Sequence, residues 1–128
     1  FDLVAARHAL DLCPRATDTI EALVFTCLDR LAGLGSLSVC TAYRAVNNKL
    51  ISRLDAPPAG RAAQSERTAQ LVKTGPQLLR RPQIASSGPS PPAASHARWL
   101  ADALERPLAG LAFGPSAADR VWSPSAAH

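Results

Sequence analysis

Apolar residues recur with different periods along the chain, and in the first half these periods predict a helix followed by two strands. Residues 2–12 place apolar side chains at helical spacing behind Asp2, a candidate N-cap. Residues 23–26 are a short apolar run suited to a buried strand. Residues 37–44 alternate with a period of two, which is the clearest strand pattern in the chain.

Two turns accompany these elements. Thr17 and Asp18 are suited to capping a short helical turn over residues 18–22. The pair Asn47-Asn48 has turn chemistry, so residues 49–54 are predicted to return as the second strand of a hairpin.

The second half repeats the pattern of helix and strand. Residues 96–106 follow Ser95 with one apolar face, which predicts an amphipathic helix ended by Pro107. Residues 108–113 predict a short buried strand, and residues 117–122 a further helical turn. Strands alternating with helices predict the α/β class, as a partial sheet with flanking helices.

Composition sets limits on this architecture. Alanine supplies 25 of the 128 residues, so few positions carry a large apolar side chain and the core must be thin. No apolar run approaches the roughly 20 residues that a bilayer requires, and no basic leader is present, so we expect neither membrane insertion nor a signal peptide. The three cysteines, at 13, 27 and 40, and the three histidines, at 8, 96 and 128, lack metal-ligand spacing, so no metal site is predicted.

The net charge of +4 is concentrated in one part of the chain. Residues 61–92 carry five basic side chains against Glu66, and residues 75–92 contain five prolines. Proline removes a backbone donor and disfavours helix, so residues 75–92 are predicted to be a loop or linker. The chain is accordingly divided into an α/β segment (1–60), a basic, proline-rich connector (61–93) and a helix-strand-turn segment (94–128). Nucleic-acid binding through residues 61–92 is the least favoured function, since no aromatic residues are interleaved.

Complete catalytic motifs are missing, because the chain contains neither a GxxxxGK[ST] phosphate loop nor a GxSxG elbow. Two strand ends nevertheless carry candidate ligand contacts. Asp29 follows the first buried run, and its carboxylate has the geometry to accept two hydrogen bonds from the N1–H and exocyclic amine of guanine. Gly114-Pro115 follows the last strand, where glycine allows close backbone approach to a planar ligand. A helix cap and a simple turn are the alternative interpretations of these residues.

Four segments together resemble the C-terminal part of adenylosuccinate synthetase. They are FDLVAARHA at 1–9, FTCLD at 25–29, LSVCTAYR at 37–44 and AFGP at 112–115. In that family the corresponding motifs are FDxVAxRYA, LTKLD, KVCVAYR and STGPxR, in the same order. The resemblance implies a P-loop NTPase-like fold and a cytoplasmic enzyme that joins IMP and aspartate at the expense of GTP, with magnesium.

The resemblance also implies roles for individual residues. Asp29 would read the guanine base. Its other side would be lined by Gly114, Pro115 and the backbone at Ala112 and Phe113. Cys27 stands where the family has lysine, Ala112 replaces a serine, and the arginine after the Gly-Pro turn is displaced, so guanine affinity should be weakened or lost. The family's phosphate loop, catalytic residues and magnesium ligands precede the matched segments, so we expect a piece of a longer protein, inactive alone.

A different class of function is a degenerate, non-catalytic module that associates with other proteins. Its expected basis is an exposed apolar strand edge around residues 37–43, open to pairing with another chain. The partners predicted are therefore a guanine nucleotide and either the remainder of the enzyme or a second copy of the chain.

Overall fold

The computed structural model describes residues 1–12, 21–82 and 92–122, and it confirms the α/β class. The helices of these described parts are α1 (Leu3–Leu12), α2 (Arg61–Val72) and α3 (Pro92–Ala103). Their strands are β1 (Leu23–Phe25), β2 (Ser36–Arg44), β3 (Leu50–Ile51), β4 (Gly75–Pro82), β5 (Leu108–Ala112) and β6 (Arg120–Trp122). The predicted helical turn at 18–22 falls mostly outside the described residues, as do Cys13 and His128.

The chain forms two compact units, each built from two separate segments. One unit contains Phe1–Thr19 and Ser38–Arg80, and the other contains Ile20–Leu37 and Arg81–His128. The predicted functional division at residues 60 and 93 stays a prediction.

The first unit contains the sheet ordered β3-β2-β4 and helix α1. Asp2 caps α1 as predicted, because its carboxylate accepts a hydrogen bond of 3.0 Å from the backbone N–H of Ala5. The hairpin is also confirmed, since β2 and β3 pair antiparallel around a turn in which Asn48 has a φ of 66°. The return strand is shorter than predicted and covers only Leu50–Ile51.

The expectation of an exposed strand edge at residues 37–43 is wrong. Strand β2 is the central strand of its sheet, and β3 and β4 lie on its two sides. Beyond the short β3, the backbone of Phe1 pairs with β2 by accepting a hydrogen bond of 2.8 Å from the N–H of Cys40. Val39 and Cys40 are neighbours in β2, so their side chains lie on opposite faces of the strand, and both are buried. Burial raises the pKa of the Cys40 thiol. Association through this edge therefore loses its structural basis.

The prediction of a loop from residue 75 is wrong for residues 75–82, which form β4. Proline is tolerated in β4 because this strand lies at the edge of its sheet, where one row of N–H groups needs no partner. Gln77 holds it beside β2, since the Arg44 guanidinium donates a hydrogen bond of 2.8 Å to Oε1 of Gln77. The first part of the predicted connector is helix α2. Its sequence has no apolar stripe, which is the signal that helix prediction uses, and accordingly the helix buries no residue.

The second unit contains the sheet ordered β1-β5-β6, with β1 parallel to β5 and β6 antiparallel to β5. Helix α3 packs on one face of this sheet through small residues, so that Ala97 is fully buried against a cluster that includes Leu28 and Leu111. Alanine allows the helix to approach the strands closely, and this explains how an alanine-rich chain forms a core.

Three boundaries in this unit differ from prediction. Helix α3 begins at Pro92, a favoured residue for the first helical turn, so Ser95 lies inside the helix and is not its cap. The helix ends at Ala103, before Glu105 with its φ of 55°. Residues 117–122 form a 3-10 turn over Ala117–Asp119 and then strand β6, and only the turn is helical.

A buried histidine in this unit makes stability depend on pH. His96 is 7% exposed, and its Nδ1 lies 3.2 Å from a guanidinium nitrogen of Arg81, whose guanidinium carbon lies 4.1 Å from the ring centroid of Trp99. Burial, and then the Arg81 charge, lower the pKa of His96 below its ordinary 6.5.

Because the folded state binds this proton more weakly than the unfolded state, the free energy of unfolding should fall as the pH drops below about 6.5. Urea denaturation at about pH 7.5 and about pH 5 measures this loss. The His96→Gln variant should lose less stability over the same interval. An identical loss in the variant would show that other groups cause the pH dependence.

Candidate functional site

Of the six residues proposed from the sequence to contact a base, Phe113 packs instead against the core cluster that includes Leu28 and Leu111. The other five line one cavity of the second unit. They are Cys27, Asp29, Ala112, Gly114 and Pro115. We call this space, of about 420 Å³, the base cavity. Its other lining residues are Val24, Thr26, Arg30, Arg120 and Trp122. The volume falls within the range of about 300–1,000 Å³ that is usual for small-molecule pockets.

Strand topology brings these distant segments together. Strands β1 and β5 are parallel neighbours, with Phe25 paired to Leu111, so the chain leaves both strands at the same edge of the sheet. The segment with Asp29 follows β1 and the segment with Gly114 follows β5. The carboxyl ends of parallel strands are where α/β folds usually place ligands.

The cavity lies on the sheet face formed by alternate residues of the strands. Val24, Gly110 and Trp122 occupy one row across the three strands, and Ala112 pairs with Arg120 in a second row. Phe25 and Leu111, one position away in each strand, belong to the cluster that packs around α3. One face of the sheet therefore builds the core, and the other offers Val24, 46% exposed, and Trp122, 61% exposed.

Asp29 lies in a 3-10 helix, Leu28–Leu31, that begins shortly after the end of β1. Buried Leu28 anchors this turn in the core, while Asp29 itself is exposed. In the described part of the chain no hydrogen bond or ion pair engages the Asp29 carboxylate. Its two oxygens are therefore available to N–H donors of a ligand.

Cys27 introduces the 3-10 helix in a left-handed conformation, with a φ of 59° and a ψ of 28°. A non-glycine residue in this region is uncommon and carries a conformational cost. The resulting sharp turn directs the chain from β1 into the Asp29 segment. The Cys27 side chain is exposed and unpaired by a disulfide.

The Gly-Pro loop is held in shape by Asp119. Its Oδ2 accepts hydrogen bonds from the Ser116 hydroxyl, at 2.6 Å, and from the Ser116 backbone N–H, at 3.0 Å. These hydrogen bonds lower the pKa of the Asp119 carboxyl below its ordinary value. A Cβ at Gly114 would lie 2.6 Å from Oδ2 of Asp119, so any side chain at this position would have to displace that carboxylate.

Arg120 and Trp122 were not identified from the sequence as site residues. The three residues inserted after the Gly-Pro turn, Ser116-Ala117-Ala118, displace the arginine along the chain, but the antiparallel pairing of β6 with β5 places Arg120 beside Ala112. The spacing Ser116-x-x-Asp119 is the one sequence signal for this loop, since it matches a capping box.

Arg30 and Arg120 add two positive charges to the lining of the base cavity. Neither guanidinium group forms an ion pair within the described residues. The cavity thus combines one carboxylate, two guanidinium groups and one indole ring, a set suited to an anionic ligand that carries a planar base.

A second cavity, of about 450 Å³, lies in the first unit between the β2–β3 hairpin and α2. It contains none of the predicted site residues. Within residues 1–12, 21–82 and 92–122 no group of three His, Cys, Asp or Glu side chains is arranged to hold a metal ion. Over the same residues, no helix has the length and apolar character required to cross a membrane.

Comparison with known proteins supports the fold. No family model matches the chain. The structure is similar to that of fully ligated adenylosuccinate synthetase from Plasmodium falciparum, with a TM-score of 0.58 and 16% sequence identity over 83% of this chain. The match covers 25% of the Plasmodium chain, so the present chain spans about a quarter of that protein's length. At this identity the similarity establishes a shared fold and leaves function to be argued from the site.

Proposed function

We propose that this chain is the guanine-binding part of an adenylosuccinate synthetase-like ligase, and that the base cavity holds the guanine of GTP. The observation that carries the proposal is the convergence of five of the six predicted residues on one cavity. Two segments more than eighty positions apart in the sequence, 27–29 and 112–115, supply them. Their approach follows from the parallel pairing of β1 and β5.

In this proposal Asp29 distinguishes guanine from adenine. The guanine edge offers an N1–H and an exocyclic amine, and both donate to an ionised carboxylate. Charge-assisted hydrogen bonds of this type are stronger than neutral ones. Adenine presents an acceptor at N1, which repels a carboxylate, so the same residue both favours guanine and disfavours adenine.

The guanidinium groups of Arg30 and Arg120 attract the anionic nucleotide toward the cavity. In the family, magnesium neutralises phosphate charge during phosphoryl transfer. The described residues offer no metal-ligand cluster, so the proposal assigns magnesium and the triphosphate to parts of the ligase outside these residues. The chain by itself is accordingly proposed to bind the base without catalysing the ligation of IMP and aspartate.

Calorimetric titration of the full 128-residue chain with GTP and with ATP tests the proposal. We expect weak binding of GTP and weaker or undetectable binding of ATP, because Cys27 and Ala112 provide less cover for the base than lysine and serine would. Equal affinity for the two nucleotides, or no binding of either, would contradict the guanine-reading role.

A further inference from the structure

Trp122 presents an indole ring to the base cavity from strand β6. It lines the cavity with Asp29 and Gly114, and its side chain is 61% exposed. No other aromatic residue of the described chain lines this cavity. Such exposure is unusual for a tryptophan, because burying its large apolar surface is favourable.

The Trp122 ring packs against Gly110. The two residues are paired across β5 and β6, and a Cβ on Gly110 would lie 2.8 Å from Cε3 and 3.1 Å from Cζ3 of Trp122. The six-membered part of the indole therefore lies over the bare backbone of Gly110. This contact fixes the ring along the sheet and leaves much of its surface accessible from the cavity.

We propose that Trp122 is a binding residue of the base cavity and stacks against the base of the bound nucleotide. The inference rests on the proposed function and assigns different roles in base binding to Asp29 and Trp122. Asp29 recognises the hydrogen-bonding edge of the base, which differs between guanine and adenine. Trp122 recognises the π face, which all bases share, so it contributes affinity without selectivity.

Calorimetry on the Trp122→Ala and Trp122→Phe variants tests this division of roles. Stacking of a base on an aromatic side chain predicts that Trp122→Ala weakens GTP binding by at least about fivefold. Any measurable ATP binding should weaken by the same factor, so that the ratio of the two affinities is unchanged. Trp122→Phe retains an aromatic face and should recover part of the loss.

Intrinsic fluorescence gives an independent measurement. The chain has two tryptophans, and Trp99 lies on α3 against Arg81. GTP should change the emission of the wild-type chain, and the change should disappear in Trp122→Phe, which retains only Trp99. Circular dichroism of each variant checks that the fold is preserved.

The Gly110→Ala variant tests the same contact without altering Trp122. Its new methyl group should displace the ring and reduce GTP affinity in the same direction as Trp122→Ala.

The possible outcomes separate the inference from the proposed function. If the wild-type chain prefers GTP but the folded Trp122→Ala variant binds it unchanged, the stacking role is overturned and the guanine proposal stands. If GTP and ATP bind equally and both weaken in Trp122→Ala, stacking is supported and guanine reading is overturned. Absence of nucleotide binding by the wild-type chain overturns both.

Discussion

Replacing Asp29 with asparagine should remove most of the proposed preference of the chain for GTP over ATP. The asparagine amide retains one acceptor oxygen but directs an NH₂ group toward the second guanine donor. A bidentate contact to a base is worth about 1–3 kcal/mol of discrimination, which corresponds to roughly 5- to 150-fold in relative affinity. The effect should appear in the ratio of the two dissociation constants measured by calorimetry.

Asp55→Asn is the matched control for this substitution. Asp55 is also exposed, but it belongs to the first unit and is absent from the lining of the base cavity. The control removes the same charge from the chain, so it reports any general electrostatic effect on nucleotide affinity. An Asp29→Asn chain that keeps its full GTP preference would exclude Asp29 as the residue that reads the base.

Replacing Gly114 with alanine should both destabilise the second unit and weaken GTP binding. The added Cβ would lie 2.6 Å from Oδ2 and 2.7 Å from Cγ of Asp119, and neither distance is tolerated. The Asp119 side chain can rotate away from the new methyl group only by giving up its hydrogen bonds with Ser116. Loss of these hydrogen bonds from the loop should lower the free energy of unfolding, which urea denaturation would measure.

Gly35→Ala is the control, since a Cβ on Gly35 meets no atom within 4 Å and the backbone there suits any residue. It should leave stability and GTP affinity almost unchanged.

The double variant Gly114→Ala, Asp119→Ala gives a second check, because removing the carboxylate relieves the clash. Its total cost should be smaller than the sum of the costs of the two single variants. Strict additivity would show that the Gly114 methyl group and the Asp119 carboxylate do not compete for the same space.

Much of the secondary structure followed from the sequence where local signals were strong. Helix α1 has an apolar stripe and an Asp2 cap, and the hairpin has Asn47-Asn48 between two strands. The prediction failed where the local signal was weak, or where its meaning depended on the place of the strand in the sheet. Helix α2 buries nothing and so shows no stripe, and β4 contains prolines that only an edge strand accepts.

The residue types that end the two cavity strands can be read from local sequence chemistry. The carboxylate at 29 and the Gly-Pro pair at 114–115 are recognisable as candidate ligand contacts from residue type alone. Their hydrogen-bonding capacity does not depend on knowing the fold. Similarity to adenylosuccinate synthetase now rests on backbone geometry at 16% identity, which establishes the fold. The roles of the individual residues remain proposals with defined tests.

Strand pairing, in contrast, determines which of these groups face a common space. Parallel pairing of β1 with β5 brings residues 27–29 to residues 112–115, and antiparallel pairing of β6 adds Arg120 and Trp122. These pairings join residues far apart in the sequence and depend on the order of strands in the sheet. Local periodicity records the face on which a side chain lies but not the strand that becomes its neighbour.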